Sequence, residues 1–91
     1  MAYGVEFSDV ATKELKKIDA SIRRRSLKKI KWLSENFEST THLKLTGDLA
    51  GLFKLRVGDY RVVYSFDDEI AIITIERVGH RRDIYKQGFD R

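Results

Sequence analysis

The sequence predicts an α+β protein in which two helices cover one face of an antiparallel sheet and leave the other face open and basic. Three observations predict it. The run Leu52 to Ser65, LFKLRVGDYRVVYS, alternates with period two on either side of Gly58-Asp59, as a β-hairpin does. Between Ser8 and Phe37 apolar residues recur instead at helical spacing. The order strand, two helices, then three strands joined by short loops places both helices on one side of a meander.

Taken in order, Tyr3, Val5 and Phe7 alternate with Gly4 and Glu6 as one half-buried strand. Ser8 stops it and caps a helix from about Asp9 to Ile18, with Ala11, Leu15 and Ile18 as its buried stripe and Asp9 in the positive first turn. Asp19 or Ser21 caps a second, antiparallel helix. Its apolar positions are Ile22, Leu27, Ile30, Leu33 and Phe37, with Trp32 at the border. The lysines and arginines between them, from Arg23 to Lys31, read as an ordinary solvated helix face. Glu38 to Thr41 is a loop, His42 to Leu45 a short run, and Thr46-Gly47-Asp48 a turn before the hairpin. His42 stands alone, without Cys or a paired His, and is read as structural or exposed. Asp67-Asp68-Glu69 reverses the chain into Ile70 to Ile75, IAIITI, a strand apolar on both faces that suits the sheet centre. Gly79 marks that strand's exit, and a short C-terminal segment carries His80, Arg81, Arg82 and Tyr85 before a polar, frayed tail.

Composition narrows the function classes. Ninety-one residues leave room for one domain, 1–91, with one modest core. Cysteine is absent, which excludes a disulfide framework, a thiolate metal site and a cysteine nucleophile. No apolar run approaches membrane-spanning length and the N-terminus lacks the pattern of a secretion signal, so the cytoplasm is the expected compartment. Eighteen Lys and Arg against 14 Asp and Glu give a net charge of +4, which favours an acidic partner.

The hairpin places the charge. With Gly58 and Asp59 as the loop, Phe53, Leu55, Val57, Tyr60, Val62 and Tyr64 form one apolar side and Lys54, Arg56 and Arg61 share the other. Arg56 and Arg61 stand opposite each other and repel. A face shaped only for solubility mixes its signs, so three gathered cations point to an anionic ligand; the alternative is that nearby carboxylates such as Asp59 or Glu76 neutralise a merely wet face.

Four stretches together carry a resemblance. They are the early V-x-F-S-x-x-A-x-K-x-L-K-K-I run, KLTG at Lys44 to Gly47, LFKLRVGDYRVVY at Leu52 to Tyr64, and VGHRRDIY at Val78 to Tyr85. On them the chain resembles the RelE-type toxins of the RelE/ParE toxin–antitoxin superfamily over nearly its whole length. The resemblance implies a RelE-like fold and an endoribonuclease that cuts messenger RNA in the ribosomal A site, using no metal and no cofactor. It also implies a cognate RelB-like antitoxin that covers the toxin. In such enzymes a ribose 2′-OH attacks the adjacent phosphate, and the family's functional positions fall on Lys54, Arg61, Arg81 and Tyr85, with Arg56 beside them.

That chemistry needs a base, an acid for the 5′-oxygen, and positive charge where the phosphorane forms. Lys54 is the candidate base, its protonated form disfavoured by Arg56 and Arg61. Arg61 and Arg81 hold the phosphate with forked donors, and Tyr85 offers a ring on which an extruded base stacks. Histidine is by type the better acid near neutrality, so His80 and Arg81 are rivals for that role. Arg56, Lys44 and Arg82 complete the expected RNA-binding set. The best-known members carry a further lysine two positions before Lys54, where this chain has Leu52, and Lys44 is the candidate to replace it. Two alternatives remain at this level: a gyrase-inhibiting toxin of the ParE branch, which lacks the basic catalytic set, and a basic binding module without chemistry.

Overall fold

The structure, a computed structural model, describes residues 2–85; the frayed tail expected beyond them lies outside the described residues. The elements are β1 (Gly4–Phe7), α1 (Asp9–Lys17), α2 (Ala20–Glu35), β2 (Leu43–Lys44), β3 (Phe53–Val57), β4 (Tyr60–Asp67) and β5 (Ile72–His80). They build one five-stranded sheet in the order β1-β5-β4-β3-β2.

The expected meander of β3, β4 and β5 is antiparallel throughout, and the sheet extends beyond it at both edges. β1 pairs parallel with β5, the geometry that the two intervening helices allow, and β2 adds a two-residue antiparallel strand beside β3. The hairpin register is Phe53↔Tyr64, Lys54↔Val63, Leu55↔Val62, Arg56↔Arg61 and Val57↔Tyr60, as the turn pair dictates. Gly58 takes φ +60°, the left-handed region in which a side chain is strained, so the loop needs glycine at its first position.

Both helix starts are capped by side chains. Ser8 Oγ accepts from the Ala11 N–H at 3.0 Å and itself donates to the Glu76 carbonyl at 2.9 Å, fixing the start of α1 to β5. Asp19 accepts from the Ser21 N–H at 3.1 Å at the head of α2. Arg23 of α2 then reaches back to the last carbonyls of α1, donating to Leu15 at 2.9 Å and Ile18 at 3.2 Å. These bonds hold the two helices at a short joint.

The core lies between helices and sheet. Ala11, Leu15, Ile30 and Leu33 pack over Leu55, Val62, Tyr64, Ile73, Ile75 and Val78. Two expected core residues are corrected. Leu27 is 41% exposed and the small Ser26 takes the buried position, because the stripe on α2 runs Ser26, Ile30, Leu33 rather than through Leu27. Ile70 is 65% exposed in the reversal, where Ala71 has φ +54°; the strand begins two residues later, at Ile72, and runs to His80.

His42 proves structural. Its Nε2 lies 3.0 Å from the Phe37 carbonyl, which can only accept, so that nitrogen carries the proton and Nδ1 accepts from the Tyr64 hydroxyl at 2.6 Å. Burial pushes the Tyr64 phenol up to about 12. Above pH 10 an unfolded Tyr64 has lost its proton while the folded one keeps it; the native state then binds more protons and stability falls as pH rises. Between pH 10 and 12 this one group is expected to remove roughly 2–3 kcal/mol. Chemical denaturation of wild type and Tyr64→Phe over that range checks it, since the variant should lose stability less steeply.

Candidate RNA-cleaving face

Period-two geometry decides which of the expected residues meet. Lys54 and Arg56 are two apart on β3 and Arg61 stands opposite Arg56, so all three share the face turned away from the helices. Arg61 Nη1 donates to the carbonyls of Gly58 and Tyr60, each at 2.9 Å, which draws its guanidinium toward the hairpin turn. No carboxylate forms an ion pair with Lys54, Arg56 or Arg61 among the described residues, so the expected cationic face is not neutralised from within.

The C-terminal segment turns back over this face. Asp83 and Ile84 both donate their N–H to the His80 carbonyl at 2.9 Å, closing a tight turn after β5. Gly79, opposite Arg61 in the sheet, makes room for it: a Cβ there would meet Ile84 Cδ1 at 3.1 Å. Ile84 and Val63 are both fully buried although neither belongs to the helix-side core. Burial raises the Tyr85 phenol above its ordinary value, while Arg61 and then Arg56 act to lower it, which places the ring in the field of both arginines. Its hydroxyl is enclosed without a hydrogen-bond partner among the described residues.

Arg81 is fastened to the hairpin tip. Its N–H donates to the Asp59 carbonyl at 2.8 Å and its Nε lies 3.6 Å from the Asp59 carboxylate, with both side chains more than half exposed. The exposed pair holds Arg81 near the turn only weakly and leaves it available to an incoming phosphate. Arg82 is exposed beside it in the same turn.

Two expected members fall elsewhere. Lys44 pairs with Phe53, whose side chain faces the helices, and Leu43 takes the position beside Lys54; a one-residue step along the strand changes the face, so Lys44 does not stand in for the lysine missing at Leu52. His80 pairs with Tyr60, on the helix side, where the two rings meet edge to face at 5.3 Å. Its Nδ1 accepts the Arg82 N–H at 3.1 Å, and it lines a cleft with Glu14 and Lys17 of α1. The structure therefore gathers Lys54, Arg56, Arg61 and Tyr85 on one face with Arg81 at its rim, and separates His80 and Lys44 from them.

Sequence reasoning missed the pair beneath the face. Arg77, just past a register shift between Val63 and Tyr64 in the β4–β5 ladder, reaches α1, where Glu14 Oε2 receives Arg77 Nη2 at 2.8 Å and Oε1 receives the Val78 N–H at 2.8 Å. This largely buried bridge anchors α1 to the strand that leads into the turn bearing Arg81 and Tyr85.

Residues 5–85 match the family described as the ParE toxin of type II toxin-antitoxin system, parDE. The mRNA interferase toxin RelE of Escherichia coli (strain K12) is 32% identical over 95 residues, covering 100% of this chain and 98% of that protein. Toxin RelG of Mycobacterium tuberculosis is 49% identical over 43 residues, 47% of this chain and 49% of that protein. Among solved structures, a chain in the crystal structure of the toxin-antitoxin complex RelBE2 from Mycobacterium tuberculosis superposes with a TM-score of 0.80 at 33% identity, covering 91% of this chain and 95% of that one.

Proposed function

Since the chain belongs to the RelE/ParE superfamily of type II toxin–antitoxin toxins, we propose that it is the RelE-type member of its pair, a cytoplasmic endoribonuclease that cuts messenger RNA in the ribosomal A site. The observation that carries this reading is the common face of Lys54, Arg56, Arg61 and Tyr85, with Arg81 fastened to the same hairpin tip.

On that face Lys54 takes the proton from the ribose 2′-OH as its oxygen attacks the neighbouring phosphorus. Arg61 and Arg56 receive the negative charge that gathers on the phosphorane. The bond to the 5′-oxygen breaks beside Arg81, and the leaving oxygen takes its proton from Arg81 or from water. The products are a 2′,3′-cyclic phosphate and a 5′-hydroxyl. Tyr85 holds a splayed base by stacking, which aligns the 2′-OH opposite the leaving oxygen. His80, on the far side of the sheet, takes no part.

The partner follows from the same surface. A cognate antitoxin of RelB type, acidic where it meets the hairpin, covers Lys54, Arg61 and the turn from Arg81 to Tyr85. Its support is the superposition, at a TM-score of 0.80, on a chain of a toxin-antitoxin complex.

Primer extension on message in a translating extract tests the reading: cuts within A-site codons are expected, and co-expression with the neighbouring reading frame should abolish them and yield a co-eluting complex. The matched family carries the name of the ParE toxins, which keeps gyrase inhibition as the second reading. Inhibited supercoiling with intact message would establish that one instead.

A further inference from the structure

The basic residues of α2 read from sequence as a solvated face, yet the structure sets part of that face against an unfinished sheet edge. β2 pairs with β3 only at Lys54 and Phe53, so Leu55 to Val57 form a free edge facing α2 among the described residues. The space between them is a groove of about 390 Å³, lined by Arg25, Lys28, Lys29 and Trp32 on one wall and Arg56 to Gly58 on the other. It continues past Trp32 and Arg56 to Thr40, Thr41 and Lys54.

Three features of the groove point to one ligand class. First, no carboxylate lines it, and none of its cations has an ion-pair partner among the described residues. Second, Trp32 keeps 43% of its surface exposed there, with Lys29 Nζ 5.0 Å from the ring centroid. A large exposed indole among cations is the combination that binds unpaired bases, whose π-faces stack while the phosphates meet the charges. Third, Arg56 and Lys54 belong both to the groove and to the cationic hairpin face, so a strand in the groove runs on without a break toward Tyr85. The free edge alone would also suit a peptide strand. It is only three residues long, however, and Arg25 overhangs its end, its Nη2 lying 3.0 Å from where a Gly58 Cβ would stand.

We propose that the groove between α2 and the free edge of β3 binds single-stranded RNA, its phosphates running along Arg25, Lys28 and Lys29 and one base stacked on Trp32. Binding here does not require the cleavage chemistry: it extends the RNA-contacting surface beyond the reacting phosphodiester, and duplex RNA, whose bases are already stacked, gains little from it.

Trp32 is the only tryptophan in the chain, which makes its own emission the readout. A short 2′-O-methyl oligouridylate, which has no 2′-OH to react, is titrated into the purified protein. Saturable quenching of Trp32 is expected, weakening as salt rises. By anisotropy of a labelled oligonucleotide, Trp32→Leu should lose about tenfold in affinity and Trp32→Phe should recover most of it. Lys28→Ala and Lys29→Ala, both at exposed positions, should each flatten the salt dependence by about 0.7 in log–log slope. Unchanged emission at saturating oligonucleotide, or an affinity indifferent to Trp32→Leu, overturns the proposal. So does quenching by polyglutamate with none by RNA, which assigns the groove to an acidic protein segment. Cleavage in the translating extract is scored separately, so either reading can fail alone.

Discussion

Lys54→Ala and Arg81→Ala are each expected to lower message cleavage in a translating extract by about a hundredfold or more while leaving the protein folded. One preorganised donor to a developing oxyanion is worth about 10²–10³ in rate, and Lys54 adds proton transfer to that. The substitutions spare the fold because both side chains lie outside the helix-side core.

Conservative variants separate the roles. Lys54→Arg keeps the charge but supplies a guanidinium, which stays protonated before the attack and so cannot serve as the base; it should stay as slow as Lys54→Ala if Lys54 is the base, and recover if Lys54 supplies charge alone. Tyr85→Phe should remain active, because the Tyr85 hydroxyl has no hydrogen-bond partner among the described residues, whereas Tyr85→Ala removes the stacking ring and should fall about tenfold or more. His80→Ala should cut at close to the wild-type rate. Full cleavage by Lys54→Ala or Arg81→Ala would end the assignment of the hairpin face as the reacting site.

The same two-residue loop explains why so much of this site was readable from sequence. Gly58-Asp59 fixes the register of β3 on β4, and register fixes the face of every residue from Phe53 to Tyr64. Where no turn sets the register, pattern fails: Lys44 and Leu43 look equivalent in sequence, and the pairing with Phe53 and Lys54 decides which of them reaches the cationic side. His80 was misplaced for a related reason, because motif adjacency to Arg81 says nothing about the alternation that turns it toward Tyr60. The parallel pairing of β1 with β5 and the groove at Trp32 join residues far apart in the chain, and helical periodicity reports only which side of α2 is apolar, not what faces the other side. Gly79 was legible as a strand exit, but its reason is tertiary, the seat for Ile84 that carries Tyr85 over the hairpin.

The bridge between Glu14 and Arg77 was the least legible element, with partners 63 positions apart, and it carries the largest expected effect on stability. Arg77 is 8% exposed, and Glu14 meets it through both carboxylate oxygens while Oε1 also takes the Val78 N–H. Glu14→Ala therefore strips a buried guanidinium of its carboxylate and a strand amide of its acceptor at once. Deleting one partner of a buried pair costs about 3–5 kcal/mol, and since Arg77 keeps another contact the low end applies, about 3 kcal/mol. For a chain of this size that lowers Tm by roughly 12 °C or more. Glu14→Gln retains an oxygen for Val78 and should lose less, and the paired replacement Glu14→Leu with Arg77→Met should recover most of the loss, because the desolvation of both charges disappears with them. Thermal unfolding of the three variants checks this, and a single Glu14→Ala that melts with the wild type would show the pair to be stabilised no better than two solvated charges. The bridge also bears on the proposed site: β5 leads from Arg77 directly through Gly79 to the turn bearing Arg81 and Tyr85, so loosening α1 from this strand releases that turn first.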